Sequence, residues 1–377
     1  MRRLIIACGL LALLAPVAAL AQSDAQDPTK EIEALRQQVQ ELEKLKDRLD
    51  TLERELAKPA AAPAPAPAKP ATPTVSLTGY VQMRYELNEA RKPNSDFYLR
   101  RARLRLLANP TPWASAFIQL EGNTAGVEAR DVFLDLKTKS GEFLRAGQFI
   151  VPFGLDTTDL PHERIVPEMA RTTEVLLNGA LYDRGAYIGK AATSPRGGPG
   201  FFVGTINGAG INKRDNNGTK DVVARVVQPF TWGSLGISGY SGRSTRTLVT
   251  GKDAAGKDIT ADVTTPKERL GLEALAHFGG LELRGEWLRG RDYGAMTQGG
   301  YLTGIYRPKG SKGIPFLRFD THDPNVRGAK DYFSRWTLGY AYQMAPLTRL
   351  TFTQEFIHDS ATKTGDNVTT FQIQQRF

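Results

Sequence analysis

From Val75 to Phe377 the chain alternates apolar and polar residues with a period of two, and Gly, Pro, Asn and Asp clusters break the alternation at regular intervals. Sixteen segments carry it: 75–87, 96–107, 112–122, 127–138, 142–150, 181–191, 199–208, 219–229, 232–242, 268–278, 281–290, 299–307, 314–320, 332–343, 347–358 and 368–377. Strands with two unlike faces must bury one face, in a sandwich core or against lipid. The connections favour lipid. Short turns such as Pro110-Thr111, Gly279-Gly280 and Ala345-Pro346 trade places with longer polar loops at 88–95, 209–218, 243–267, 321–331 and 359–367. An even strand number with short turns on one side and long loops on the other is the pattern of a transmembrane β-barrel. The expected fold is therefore all-β: a sixteen-stranded antiparallel transmembrane β-barrel over 75–377, preceded by an N-terminal α-helical coiled coil.

Parity then sorts the residues. In the last segment Phe371, Ile373 and Phe377 share one face, and Thr370, Gln372, Gln374 and Arg376 the other. Likewise Leu350, Phe352 and Phe356 oppose Arg349, Thr351, Thr353 and Glu355, and Trp336, Leu338, Tyr340 and Tyr342 oppose Arg335 and Thr337. Sixteen strands enclose a lumen too wide for side chains to fill, so the polar face meets water. In Phe97–Leu107 (FYLRRARLRLL), Arg101, Arg103 and Arg105 share a face. Facing lipid, each would cost about 2–4 kcal/mol at the bilayer midplane, so they are expected to line the lumen. Arg145, Arg269, Arg284, Arg318, Arg335 and Arg349 have the same parity on other segments. Guanidinium forks suit carboxylate and phosphate oxygens, so this wall is expected to favour anions. Glu121, Asp131, Asp135, Glu273, Glu282, Glu286, Asp320 and Glu355 can also face inward. If they pair the arginines, the pore is a general one with a transverse field, and that alternative stays open. Residues 151–180 lack strand alternation and carry Arg164 and Arg171 among several acids; they are expected to fold into the lumen as a constriction loop.

The first 74 residues are different. Arg2 and Arg3, an apolar run from Leu4 to Leu20 and Ala19-Leu20-Ala21 read as a signal peptide over 1–21. It takes with it Cys8, the only cysteine, leaving no thiol for a disulfide or a metal. Within 22–57, Ile32, Leu35, Val39, Leu42, Leu45, Leu49, Leu52 and Leu56 form a heptad seam with one stammer. Self-association as a coiled coil fits so narrow a stripe better than a lone amphipathic helix lying on another surface. Residues 58–74 are a Pro/Ala-rich spacer. Because a barrel of even strand number begins and ends on one side, the helix is expected in the periplasm. Residues 1–74 hold ten basic and ten acidic side chains, so the net +9 belongs wholly to 75–377. The signal peptide argues against nucleic acid as the partner of that charge, leaving anionic solutes and outer-membrane lipid. His162, His277, His322 and His358 show no ligand spacing, and no Gly-rich phosphate loop or nucleophile elbow occurs, so neither a metal, a cofactor nor a catalytic residue is expected.

Tyr98-Leu99-Arg100-Arg101-Ala102, Gly147-Gln148-Phe149 with Pro152-Phe153-Gly154-Leu155, His162-Glu163-Arg164, Leu317-Arg318-Phe319-Asp320 and the terminal Phe377, in that order and spacing, together resemble the phosphate-selective porin O and P family. The resemblance spans most of 75–377. It implies a homotrimeric outer-membrane barrel that takes up small anions such as phosphate through an arginine-lined eyelet, with Arg100 and Arg101 at the family's paired arginines. Strict alternation sets these two on opposite faces, so Arg100 reaches the pore only if the strand bulges. Ile150 and Val151 stand where relatives often carry basic or polar residues, and the helical segment is absent from the best-known members. The non-channel alternative is a tether, with the coiled coil contacting the cell wall and the barrel as anchor.

Overall fold

The structure, a computed structural model, describes residues 28–57, 72–177, 181–252, 256–328, 331–361 and 364–377. The expected signal peptide and most of the spacer lie outside the described residues. The chain divides into two compact units, Met1–Pro70 and Ala71–Phe377.

In the first unit α1, Pro28–Ala57, is one uninterrupted helix. Pro28 suits its start, since proline at a first helical position forfeits no intrahelical bond. The stripe of Ile32, Leu35, Val39, Leu42, Leu45 and Leu49 lies along it, each side chain 52–65% exposed.

The second unit is a closed antiparallel barrel in which every strand pairs with its sequence neighbours and β1 closes on β16. The strands are β1 Thr74–Asn88, β2 Ser95–Thr111, β3 Ala114–Asn123, β4 Gly126–Lys137, β5 Glu142–Ile150, β6 Tyr182–Lys190, β7 Gly200–Ile206, β8 Asp221–Phe230, β9 Gly233–Lys252, β10 Asp258–Phe278, β11 Leu281–Asp292, β12 Ala295–Tyr306, β13 Gly313–Asp323, β14 Phe333–Ala345, β15 Thr348–Asp359 and β16 Thr364–Arg376. Closure leaves no strand edge unpaired at membrane depth, where an unpaired backbone group would cost several kcal/mol. The seam ends in reciprocal bonds between Gly79 and Phe377 (N to O, 2.9 and 3.0 Å).

All sixteen expected strands form, with one clear departure. The expected loop 243–267 is strand almost throughout: β9 and β10 run on past their outer neighbours as a two-stranded ribbon paired from Gly242↔Lys267 to Lys252↔Asp258. Its sequence is Thr-rich and polar on both faces, so no alternation marks it. Cross-strand bonds such as Thr247 to Asp262 (2.7 Å) and Thr245 with Thr264 (2.8 Å) stabilise it instead. β16 likewise begins inside the expected loop 359–367, and β13 runs to Asp323. The separation of short from long connections has exceptions too, since 124–125 and 293–294 are tight turns at the long-loop end.

Parity holds around the wall. Phe371, Ile373, Trp336, Leu338, Tyr340, Phe356 and Phe377 are exposed on the outside, while Arg335, Thr337, Arg349, Thr351, Gln372 and Gln374 are buried within. Exposed aromatics gather near the strand ends, with Trp113, Trp232, Phe278, Tyr306 and Phe377 at the short-turn end and Phe97, Tyr293 and Tyr332 at the other. This is the girdle of a bilayer-spanning barrel. Among the described residues no helix is long and apolar enough to cross a membrane.

Candidate functional site

Between β5 and β6 the chain turns into the lumen, as expected for 151–180, and its backbone is held by inward side chains of the wall. Gly154 N donates to Ser238 Oγ (3.0 Å), and Leu155 N and Asp156 N to the Glu286 carboxylate (3.0 and 3.2 Å). Arg318 donates to Glu168 O (2.8 Å), Arg335 to Met169 O (2.9 Å) and Arg349 to Arg164 O (2.6 Å), while Asp320 accepts from Arg171 N (2.9 Å). A short helix not expected from the sequence, α2 (Arg171–Leu176), completes the loop. Val151, Phe153, Leu176 and Leu177 pack on inward Ile206, Val223, Tyr240 and Leu288, and Ile165 and Val166 join Ile305 and Phe316. These contacts run from β6 round to β16 and β1. The β2–β5 wall is bridged chiefly through Glu168.

That stretch of wall carries the arginines. The β1–β2 register shifts between Gln82↔Arg101 and Met83↔Leu99, so Arg100 is the extra residue of a β-bulge. A bulge places two consecutive side chains on one face, and both Arg100 and Arg101 turn inward. Arg100 holds the Glu168 carboxylate with two bonds of 2.9 Å, and Arg84 holds the same carboxylate at 2.5 Å. Arg103 pairs with Glu121, which Arg130 also bonds (2.7 Å). Arg101 is 6% exposed, and Arg105 is half-buried over the Phe117 ring at 5.3 Å. Among the described residues neither has a carboxylate partner, and each leaves a buried Nε without an acceptor.

The other expected pore arginines are mostly neutralised. Arg145 grips Asp135 with two bonds (2.8 and 2.9 Å), and Arg335 binds Asp320 (2.9 Å) with Glu355 at 3.5 Å. Arg318 bonds Thr303 (2.9 Å) and lies 3.7 Å from Asp156. Arg164 is buried and turned back onto Asp156 O within the loop, while Arg171 is exposed, its guanidinium 5.6 Å above the Phe333 ring. Arg84, Arg130 and Arg225 also face the lumen; alternation in Gln82-Met83-Arg84-Tyr85-Glu86 was the signal for the first.

Loop acidity depends on position. Burial disfavours the Glu168 anion, but the Arg84 and Arg100 guanidiniums outweigh it and hold the carboxyl well below the usual range. Glu174 is pushed up to about 7 by burial, with Glu168 adding repulsion and Arg335 and Arg171 opposing. Burial and the nearby Arg105 press His162 down to about 4, so it is a neutral ring at pH 7, tilted 36° against the Tyr80 ring with centroids 4.9 Å apart. Two openings flank the Arg100–Glu168 bridge. One of about 620 Å³ is lined by Arg84, Arg91, Tyr98, Arg100 and Glu168, and one of about 230 Å³ by Arg130, Met169, Thr173, Glu174 and Tyr182.

No family model matches the chain, and neither does any curated protein. Solved structures do. The trimer form of in-vitro folded OmpT, an outer membrane protein of Vibrio cholerae, is 12% identical with a TM-score of 0.61 over 81% of this chain and 100% of that one. An anion-selective porin from Comamonas acidovorans is 16% identical with a TM-score of 0.60 over 81% of this chain and 100% of its own. OmpF of Salmonella typhi in complex with daunomycin is 13% identical with a TM-score of 0.59 over 80% and 97%. At such identities the likeness is one of architecture: this chain has the sixteen-stranded barrel fold of outer-membrane porins.

Proposed function

We propose that the chain is an outer-membrane channel for passive diffusion of small anions, phosphate among them, with the β2 arginines at its narrow part. The observation that carries this reading is the bulge at Arg100. It gathers Arg100 and Arg101 above Arg103 and Arg105 on one stretch of the lumen wall, and two of the four lack a carboxylate partner among the described residues. Opposite charges 4 Å apart attract by about 1 kcal/mol in water and about 4 kcal/mol near a protein surface. Such sites offset part of an anion's lost hydration. Arg101 and Arg105 stand roughly 14 Å apart along the strand with Arg103 between them, so an ion can pass from one to the next rather than stay trapped. The Comamonas neighbour is an anion-selective porin, and the phosphate-selective resemblance points the same way. A general porin is the second reading, favoured by the pairing of Arg103, Arg145 and Arg335 with Glu121, Asp135 and Asp320. In this reading three copies assemble in the outer membrane and α1 lies in the periplasm, its apolar stripe packed in a coiled coil that joins the copies; the tether is the alternative role for that helix.

Reversal potentials of the purified full-length protein in planar bilayers under a KCl gradient test this. Anion preference is expected, shifting toward cations in Arg101→Glu, with added phosphate blocking the chloride current. Absence of conductance, or cation preference in the parent protein, would refute the proposal. A pH titration adds a second test. Glu174 is neutral below pH 7 and ionised above it, so anion preference should fall as pH rises through about 7, and Glu174→Gln should remove that step.

A further inference from the structure

A porin lumen is expected to be polar, yet one sector of this wall is not. Phe117, Phe133, Phe143, Tyr187 and Phe202 point inward from five consecutive strands, β3 to β7. All lie toward the short-turn ends of their strands. The rings touch in two groups, with Arg145 between Phe133 and Phe143. Phe117 stacks on Phe133 (centroids 5.1 Å apart), Phe143 meets Tyr187 edge-on (5.7 Å), and Tyr187 meets Phe202 (6.0 Å). Tyr187 belongs to the apolar cluster that packs on the loop, and the partly buried Phe133, Phe143 and Phe202 extend that cluster. An apolar surface left open to a water-filled lumen costs free energy that a passing solute can recover. Cations accompany it. The Arg145 guanidinium lies flat-side over Phe133 at 3.6 Å and 5.6 Å from Tyr187, so a planar, delocalised group already sits on this surface. Arg105 stands over Phe117 at the near edge of the stripe and has no carboxylate partner among the described residues.

We propose that this stripe is a subsite for planar aromatic carboxylates, with the solute ring meeting the edges of Phe117, Phe133 and Phe143 and the carboxylate on Arg105. The proposal rests on the channel reading and refines it by naming a solute class. Charge complementarity decides the occupant, because a neutral aromatic would leave Arg105 unanswered and an aliphatic acid would leave the rings bare. Calorimetric titration of the detergent-solubilised full-length protein with benzoate, acetate and benzyl alcohol tests it without requiring conduction. Benzoate should bind about tenfold more tightly than either of the others. Arg105→Gln should bring it down to benzyl alcohol, and Phe133→Leu should narrow its margin over acetate. In bilayers benzoate should block the chloride current at lower concentration than acetate does. Equal binding of benzoate and acetate, or of benzoate and benzyl alcohol, would overturn the subsite even in a conducting protein. Preferential benzoate binding without chloride current would leave the subsite standing and end the channel reading alone.

Discussion

Asp320→Ala should free the inserted loop from the wall while leaving the barrel closed. Asp320 is fully buried, and its two oxygens accept from Arg335 (2.9 and 3.3 Å) and from Arg171 N at the start of α2 (2.9 Å). Removing it strands a buried guanidinium whose other carboxylate, Glu355, stands at 3.5 Å. Breaking a buried ion pair from one side costs about 3–5 kcal/mol. The loss falls on the loop because Arg335 also holds Met169 O, so the unpaired arginine reorients and releases that carbonyl. The barrel keeps its inter-strand ladder. Larger and noisier single-channel conductance is expected, together with protease cleavage within 160–177; Asp320→Asn, which keeps one acceptor, should do less. Conductance and protease resistance matching the parent protein would show that the loop is held elsewhere.

Gly147→Val should prevent recovery of the folded barrel. Gly147 has φ +137, a conformation L side chains rarely adopt, and a Cβ there would strike Val132 O and come within 2.7 Å of Phe133 Cα on β4. Backbone strain alone is worth roughly 1–3 kcal/mol. The clash adds to it, because β4 and β5 are paired at this position and cannot separate without giving up ladder bonds. Loss of the folded, heat-modifiable band in unheated gels is the measurement. Gly239→Ala on β9 is the control: a Cβ there meets nothing within 4 Å, and its band should persist.

Much of this protein is legible from alternation, since a barrel wall gives each residue only two environments. Arg103, Arg318 and Arg335 could be set inside, and Trp336, Phe356 and Phe371 outside, without coordinates. Other features escape for stated reasons. The bulge at Arg100 is a relation between β1 and β2, visible only in their register. The ribbon of β9 and β10 stands clear of neighbouring strands, so it has no buried face and no periodic signature. The inward aromatics follow an apolar alternation that reads like lipid contact until their parity is tied to Asp131 and Arg145.

Strand number, closure and the two faces of the wall were determined by the sequence alone, because lipid on one side and water on the other penalise any residue of the wrong kind. Which cations stay free was decided by the tertiary structure. Glu168, Asp320 and Glu121 reach their arginines from the loop and from adjacent strands. Attraction between charges depends on separation in space rather than along the chain, and only the closed barrel with its loop inside brings those distances down to an ion pair.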